Sequence, residues 1–304
     1  MDALERDFYE ERRRRWRRSA FWRGFLVAAV IAVLIGVWAA SGLFANAGRQ
    51  IARIEVGGVI ADDLDRDKLL ADLADNDNIR AVIVRVNSPG GTTAGAEALY
   101  AGLRRIAAKK PLVAELAELA ASGGYVAAIA ADHIVARGNT LTGSIGVIME
   151  YPDLTGVMAK LGVGLETVRS SELKAEPSPF RPTSPAARAV EEKLVADSYQ
   201  WFRGLVAERR GLQGSDLDQA ANGAVFTGRQ ALAGGLIDEI GGEPEARAWL
   251  ESRDAGLAGL PVRDWEVERE GPLAERLLGE IGPTGRILGE ISLRLAPKLY
   301  SIGP

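Results

Sequence analysis

The sequence predicts an α/β domain with a mostly parallel sheet of βαβ units, preceded by one transmembrane helix. Three observations carry this. Strand-like and helical periods alternate along the chain from about residue 54, the rhythm of βαβ crossovers. The run Ile79–Val86, IRAVIVRV, has β-branched residues on both faces, as a sheet covered on both sides requires. The stretch from Gly24 to Ala47 holds no charged residue, and about 20 apolar residues suffice to cross a bilayer core of roughly 30 Å.

Residues 1–23 carry eight Arg against five acidic residues, a net of +3 in a chain of net charge −4, which leaves −7 for the rest. Arg on the N-terminal flank of a span is an orientation signal: residues 1–23 are expected in the cytoplasm and everything past Ala47 across the membrane. Trp16 and Trp22 stand where interface anchors belong. Ala45-Asn46-Ala47 also fits a cleavage site. A signal-peptide core usually runs about 7–15 residues, however, and this apolar run exceeds that. A retained anchor over residues 24–47 is the expectation.

After a linker over residues 48–51, Ile54–Ile60 reads as a strand. Asp62–Asp75 reads as a helix with Leu64, Leu69, Leu70 and Leu73 on its apolar side. Ile79–Val86 is a strand, Thr93–Ala108 a helix and Pro111–Leu116 a strand. Past Val147, Leu154–Leu161 reads as a short helix, Leu165–Val168 as a short strand and Ser170–Pro185 as a proline-rich loop. Pro185–Gly211 is the longest helical pattern, opened by Ser184 as N-cap and closed by Gly211. Its stripe of Val190, Leu194, Val195, Tyr199, Phe202 and Val206 is expected to pack on the core. Asp216–Ala221 and Gly228–Gly234 read as short helices, and Leu236–Ile240 as a strand or turn. The main domain is thus expected over residues 52–243. From Pro244 the composition shifts to Glu, Arg, Gly and Leu, and a helical, amphipathic tail is expected over residues 244–304.

The chain has no cysteine and one histidine, His133. Disulfides, thiolate metal sites, a Cys nucleophile and a two-His metal site are excluded. A sequence pI near 5.4 argues against a nucleic-acid partner.

Within Glu115–Val147 an apolar strand runs into Ala121-Ser122-Gly123-Gly124, followed by small residues of helical character. A serine at a strand-to-helix junction with glycines behind it exposes its hydroxyl beside free backbone N–H groups. Ser122 is therefore a candidate nucleophile. Upstream, Asn87-Ser88-Pro89-Gly90-Gly91 ends another strand and leaves backbone N–H groups open. Such a loop can hold a phosphate, but no P-loop and no G-x-G-x-x-G is present. Paired with the N–H of Gly123, it suggests an oxyanion hole. The base is either His133, in a strand-like setting where a structural role is ordinary, or a lysine. A lysine at its ordinary pKa of about 10.4 is neutral only a few times in 10⁴ at pH 7, a cost of about 4.6 kcal/mol, so its site must bury it. Most lysines here sit in charged helical patterns; Lys174 instead lies in an irregular segment between Leu173 and Phe180.

Five blocks in order carry a resemblance over about residues 52–243. They are Val86–Gly91, Ala121–Tyr125, Thr142–Val147, Leu173-Lys174 with Pro177–Phe180, and Thr227–Ala231 with Gly234–Asp238. The chain resembles signal peptide peptidase A, the protease IV family, in its short single-domain form. The resemblance implies a Clp/crotonase-like α/β fold and a serine endopeptidase with a Ser/Lys dyad and no cofactor. It implies Ser122 as nucleophile, Lys174 as general base and Ser144 as the residue that orients the lysine. The N–H groups of Gly91 and Gly123 become the oxyanion hole. It also implies a single-pass anchor in the bacterial inner membrane, a catalytic domain outside the cytoplasm, a homo-oligomeric ring, and signal-peptide remnants or other short hydrophobic peptides as substrates. Ser170-Ser171-Glu172 departs from the glycine-led form expected before the lysine, and the tail has no counterpart. Two rivals share the fold. A crotonase-like acyl-CoA enzyme is disfavoured by the membrane anchor, and a catalytically silent membrane scaffold by the presence of both Ser122 and Lys174.

Overall fold

The computed structural model describes residues 22–36 and 48–267. The chain divides into two units, residues 1–49 and 50–304. In the first, helix α1 covers residues 22–36. No described helix is long and apolar enough to cross a membrane. The remainder of the expected span, residues 37–47, and the basic block over 1–21 lie outside the described residues, as does the tail past residue 267.

The second unit is built on an eight-stranded sheet. In chain order it comprises β1 (Gln50–Ile60), α2 (Leu64–Asp75), β2 (Ile79–Gly91), α3 (Thr93–Ala107), β3 (Leu112–Ala121) and α4 (Gly123–Ile129). There follow β4 (His133–Ala136), β5 (Leu141–Gly143), α5 (Thr155–Leu161), α6 (Pro185–Arg210), α7 (Gly214–Ala220) and β6 (Val225–Thr227). The last elements are α8 (Gly228–Ala233), β7 (Glu239–Ile240), α9 (Glu243–Arg253) and β8 (Val262–Asp264). The strand order is β6-β5-β3-β2-β1-β8, with β4 bridging β3 and β7. Every pairing is parallel except β5 with β6.

The two-sided burial expected of Ile79–Val86 is present. Val82, Val84 and Val86 face one core, with Leu99 and Leu103 of α3 and Phe202 and Val206 of α6. Ala81 and Ile83 face the other, with Ile51, Val113 and Val135 and with Ala246 and Leu250 of α9. Helix starts follow local chemistry: the Asp63 carboxylate accepts from the N–H groups of Asp65 and Arg66, and the Ser184 hydroxyl accepts from Ala187 N–H at 3.1 Å.

Three readings change. Leu165–Val168 is not a strand: its backbone is irregular, and Leu165 and Val168 are exposed rather than packed on a core. Two elements beyond the expected boundary belong to the domain, α9 packing on the sheet and β8 joining it. Ala246 and Leu250 of α9 are fully buried, and β8 extends β1 through Ile51↔Val262. The buried stripe of α9 is too sparse to stand out among its charged residues. The α6 stripe packs only in part: Phe202 and Val206 are buried, while Val190 and Leu194 are exposed.

Tyr125 of α4 is fully buried and its hydroxyl donates to the Leu236 carbonyl at 2.7 Å. Tyr125→Phe leaves that carbonyl without its donor, and urea unfolding is expected to show a loss of about 1–2 kcal/mol. An unchanged midpoint would mean the bond contributes nothing.

Candidate active site

β3 forks. Its first half, Val113–Leu116, pairs with β4, and its end, Leu119–Ala121, pairs with β5. The next residue, Ser122, has φ 53° and ψ −121°. A non-glycine residue adopts a positive φ only under constraint, at a cost of about 1–3 kcal/mol. Ser122 is the N-cap of α4 but its side chain makes no capping hydrogen bond, which leaves the hydroxyl facing the cleft it lines. Its N–H donates to the Gly143 carbonyl at 2.9 Å. Gly143 pairs with Ala121, so Ser144 follows β5 as Ser122 follows β3. Ser144 also has a positive φ, 50°, fixed by its N–H donating to Ala224 at 2.8 Å. Two parallel strands thus deliver two serines side by side, both in left-handed backbone.

On the other flank β2 ends at Ser88–Gly91. Ser88 is buried; its hydroxyl donates to the Gly58 carbonyl at 2.6 Å and accepts from Gly90 N–H at 3.1 Å. Gly90 has φ +106°, and a Cβ there would stand 2.8 Å from Ser122 Cβ and 2.9 Å from Gly123 N. Only glycine permits that approach. A Cβ on Gly123 would stand 3.3 Å from Gly91 N, so the Gly91 and Gly123 amides are neighbours beside Ser122. As the first residue of α4, Gly123 has an N–H with no acceptor inside the helix.

Ser122, Ser144 and Gly91 line one cleft of about 1720 Å³. Ile148 and Met149, which follow β5, and Leu194 and Tyr199 of α6 form its walls. Tyr151 spans from the post-β5 loop to α6, its hydroxyl 3.0 Å from Thr183 Oγ1 and donating to Glu191 at 3.1 Å. These wall residues were missed from the sequence; the Leu194 signal was there, but an apolar helical stripe reads the same whether it meets a core or a cleft.

Lys174 sits elsewhere. Its side chain is exposed on a turn over residues 172–175 and is not among the cleft walls. Within the single chain the structure brings Ser122, Ser144, Gly91 and Gly123 together and leaves Lys174 apart.

His133 stands at the opposite end of the sheet. It pairs with Val113, and Ser122 lies nine residues further along the chain from Val113, about 30 Å at 3.3 Å per residue. Its Nε2 is 3.2 Å from a Glu239 oxygen and its ring stacks on Trp249 at 4.9 Å. The neighbouring Asp238 carboxylate accepts from Ile134 N–H and Arg210. Burial acts to raise its pKa, but Arg210, Ile134 and His133 hold it below the usual carboxylate range. His133 belongs to this structural cluster, which removes a Ser-His-Asp triad at Ser122.

Gly90→Ala is expected to abolish any activity of the Ser122 site, because its Cβ displaces Ser122, and to lower thermal stability as well. Wild-type turnover in Gly90→Ala would show that the close approach is not needed.

The model of Peptidase family S49 matches residues 104–257, a range that contains Ser122, Ser144 and Lys174 but begins after Gly91. A candidate protease of Synechocystis sp. is 37% identical over 235 residues, covering 76% of this chain and 83% of that protein. Protease 4 of Haemophilus influenzae is 33% identical over 235 residues, 73% of this chain and 38% of its own length. Serine protease SPPA, chloroplastic, of Arabidopsis thaliana is 33% identical over 204 residues, 67% of this chain and 30% of its own length. This chain thus spans well under half of the last two. With the family model covering half the chain and the first relative matched over most of both lengths, the chain belongs to peptidase family S49, among the proteases similar to signal peptide peptidase A.

Proposed function

We propose that this protein is a membrane-anchored serine endopeptidase in which Ser122 is the nucleophile and Lys174 the general base. The observation that carries the reading is Ser122 itself: a constrained serine at the mouth of a cleft, with the Gly91 and Gly123 amides on one side and Ser144 on the other. In this reading neutral Lys174 takes the Ser122 proton as Oγ attacks a scissile carbonyl. The Gly91 and Gly123 N–H groups hold the tetrahedral oxyanion, each donor being worth about 10²–10³ in rate. The amine leaves with the proton from Lys174, and water then releases the acyl group by the same steps in reverse. Ser144 orients the lysine by a hydrogen bond. Apolar walls such as Ile148 and Leu194 favour hydrophobic peptides, signal-peptide remnants among them. Residues 24–47 anchor the chain in the bacterial inner membrane, with the catalytic domain outside the cytoplasm.

Because Lys174 is exposed and off the cleft of its own chain, the mechanism needs one further event. Either the segment carrying Lys174 closes over Ser122, or a second copy in a homo-oligomeric ring supplies the lysine. Either event also removes the lysine from water, as a neutral base requires.

The test follows hydrolysis of casein and a fluorogenic hydrophobic peptide by the full chain in detergent. Ser122→Ala and Lys174→Ala are expected to be inactive, and His133→Ala to keep most of the wild-type rate. Activity in Ser122→Ala would sink the mechanism, and loss in His133→Ala with retention in Lys174→Ala would move the base. An inactive wild type would favour a scaffold. Co-assembling Ser122→Ala with Lys174→Ala then separates the two routes: restored activity means the dyad forms between copies, and continued silence means each chain closes on itself.

A further inference from the structure

The turn that carries Lys174 is gripped at both ends by one guanidinium. Arg169 Nη1 donates to the Glu172 carbonyl at 2.8 Å, at the start of the turn, and to the Glu176 carboxylate just past its end. Arg181 binds the same carboxylate oxygen through Nη2 at 2.7 Å and Nε at 3.2 Å, and its Nη1 donates to Thr167 at 3.1 Å. Residues 170–175 are all exposed, yet the Glu176 side chain is only 6% exposed. Burial acts to raise the Glu176 pKa, but the Arg181 and Arg169 guanidiniums outweigh it and hold the carboxylate below its usual range. Ala175, between the lysine and this carboxylate, has φ 61°, a conformation a side-chain-bearing residue keeps only where its surroundings impose it.

A buried carboxylate shared by two arginines is a poor device for net stability, because desolvation offsets most of the attraction. Its other use is to fix one geometry. We infer that Glu176 is a positioning residue for Lys174: through Arg169 and Arg181 it holds the turn over residues 172–175 in one conformation, so that the lysine arrives correctly placed when its segment closes over Ser122 or a second copy docks there. The inference rests on Lys174 being the base. It assigns a role to Glu176 and Arg169, which lie off the Ser122 cleft, and to Arg181, which lines it, and it explains why an exposed turn is flanked by a nearly buried carboxylate held between two arginines.

The experiment compares Glu176→Gln, Glu176→Asp and Lys174→Ala in the full chain in detergent, with kcat, KM and melting temperature measured for each. Glu176→Gln keeps the shape but removes the charge that both arginines hold. It is expected to lower kcat about 10- to 100-fold, the effect of a misplaced catalytic group, with KM within about twofold and melting near wild type; Glu176→Asp is expected to recover part of the loss. Wild-type kcat in Glu176→Gln, a change in KM alone, or a kcat loss that merely tracks a fall in melting temperature would overturn the inference. If Glu176→Gln does not fold, Arg169→Met takes its place under the same criteria, since methionine keeps much of the side-chain length but has no N–H to bridge the Glu172 carbonyl and the Glu176 carboxylate. Lys174→Ala separates the two levels. Wild-type activity there removes the base reading and this inference with it. An inactive Lys174→Ala beside a fully active Glu176→Gln removes the positioning role alone.

Discussion

The pairing of β3 is the constraint on which the site depends. One strand is held by β2 along one edge, and by β4 and then β5 along the other. Its end is therefore fixed from both sides, and the turn into α4 has no freedom to relax. That is what lets Ser122 keep a φ of 53°. The same register places Ser144, also left-handed, one residue past the partner of Ala121. Strain of about 1–3 kcal/mol at each serine is sustained by fully buried neighbours such as Ala120, Tyr125 and Ile145. The site's geometry is thus a property of the sheet rather than of a loop.

That explains which parts were legible in the sequence. Where the backbone itself forms the site, side chains must be small, and small residues in a strand-turn-helix context are visible: Gly90 where a Cβ would meet Ser122, Gly123 beside Gly91. The parallel sheet was legible because Val82, Val84 and Val86 face one core and Ala81 and Ile83 the other. The β5–β6 pair was not, being only three residues on each side, too short for a period. Nor was the outward turn of Leu194, because exposure is decided by what lies opposite a helix. Lys174 could be singled out by its irregular setting and the resemblance, but its distance from the Ser122 cleft belongs to tertiary structure, which no motif encodes.

The segment between β5 and α6 is held together differently from the sheet. α5 buries no residue, and Ile148, Leu161, Val168 and Leu173 are exposed. Its coherence comes from polar links: Leu154 N–H to Pro179, Tyr151 to Thr183 and Glu191, and the Arg169–Glu176–Arg181 triad. Such a unit lacks the buried apolar area that ties an element rigidly to a core, and it sits at the low-stability end of a fold.

For a Ser/Lys mechanism this division has a chemical consequence. The serine half needs rigidity, since an oxyanion hole works only when its donors are already in place. The lysine half needs exclusion from water, since a solvated lysine at pH 7 forfeits about 4.6 kcal/mol of basicity. A single rigid cleft would provide both at once and leave a permanently active protease. Carrying the lysine on a separate, exposed segment makes its activation depend on whatever covers that segment, whether closure of the segment or the packing of a second copy. The apolar side chains exposed along it favour such covering, because their burial is worth roughly 25 cal/mol per Å². On this reading the covering of the segment is what both brings the lysine to Ser122 and takes it out of water, and an uncovered chain lacks both.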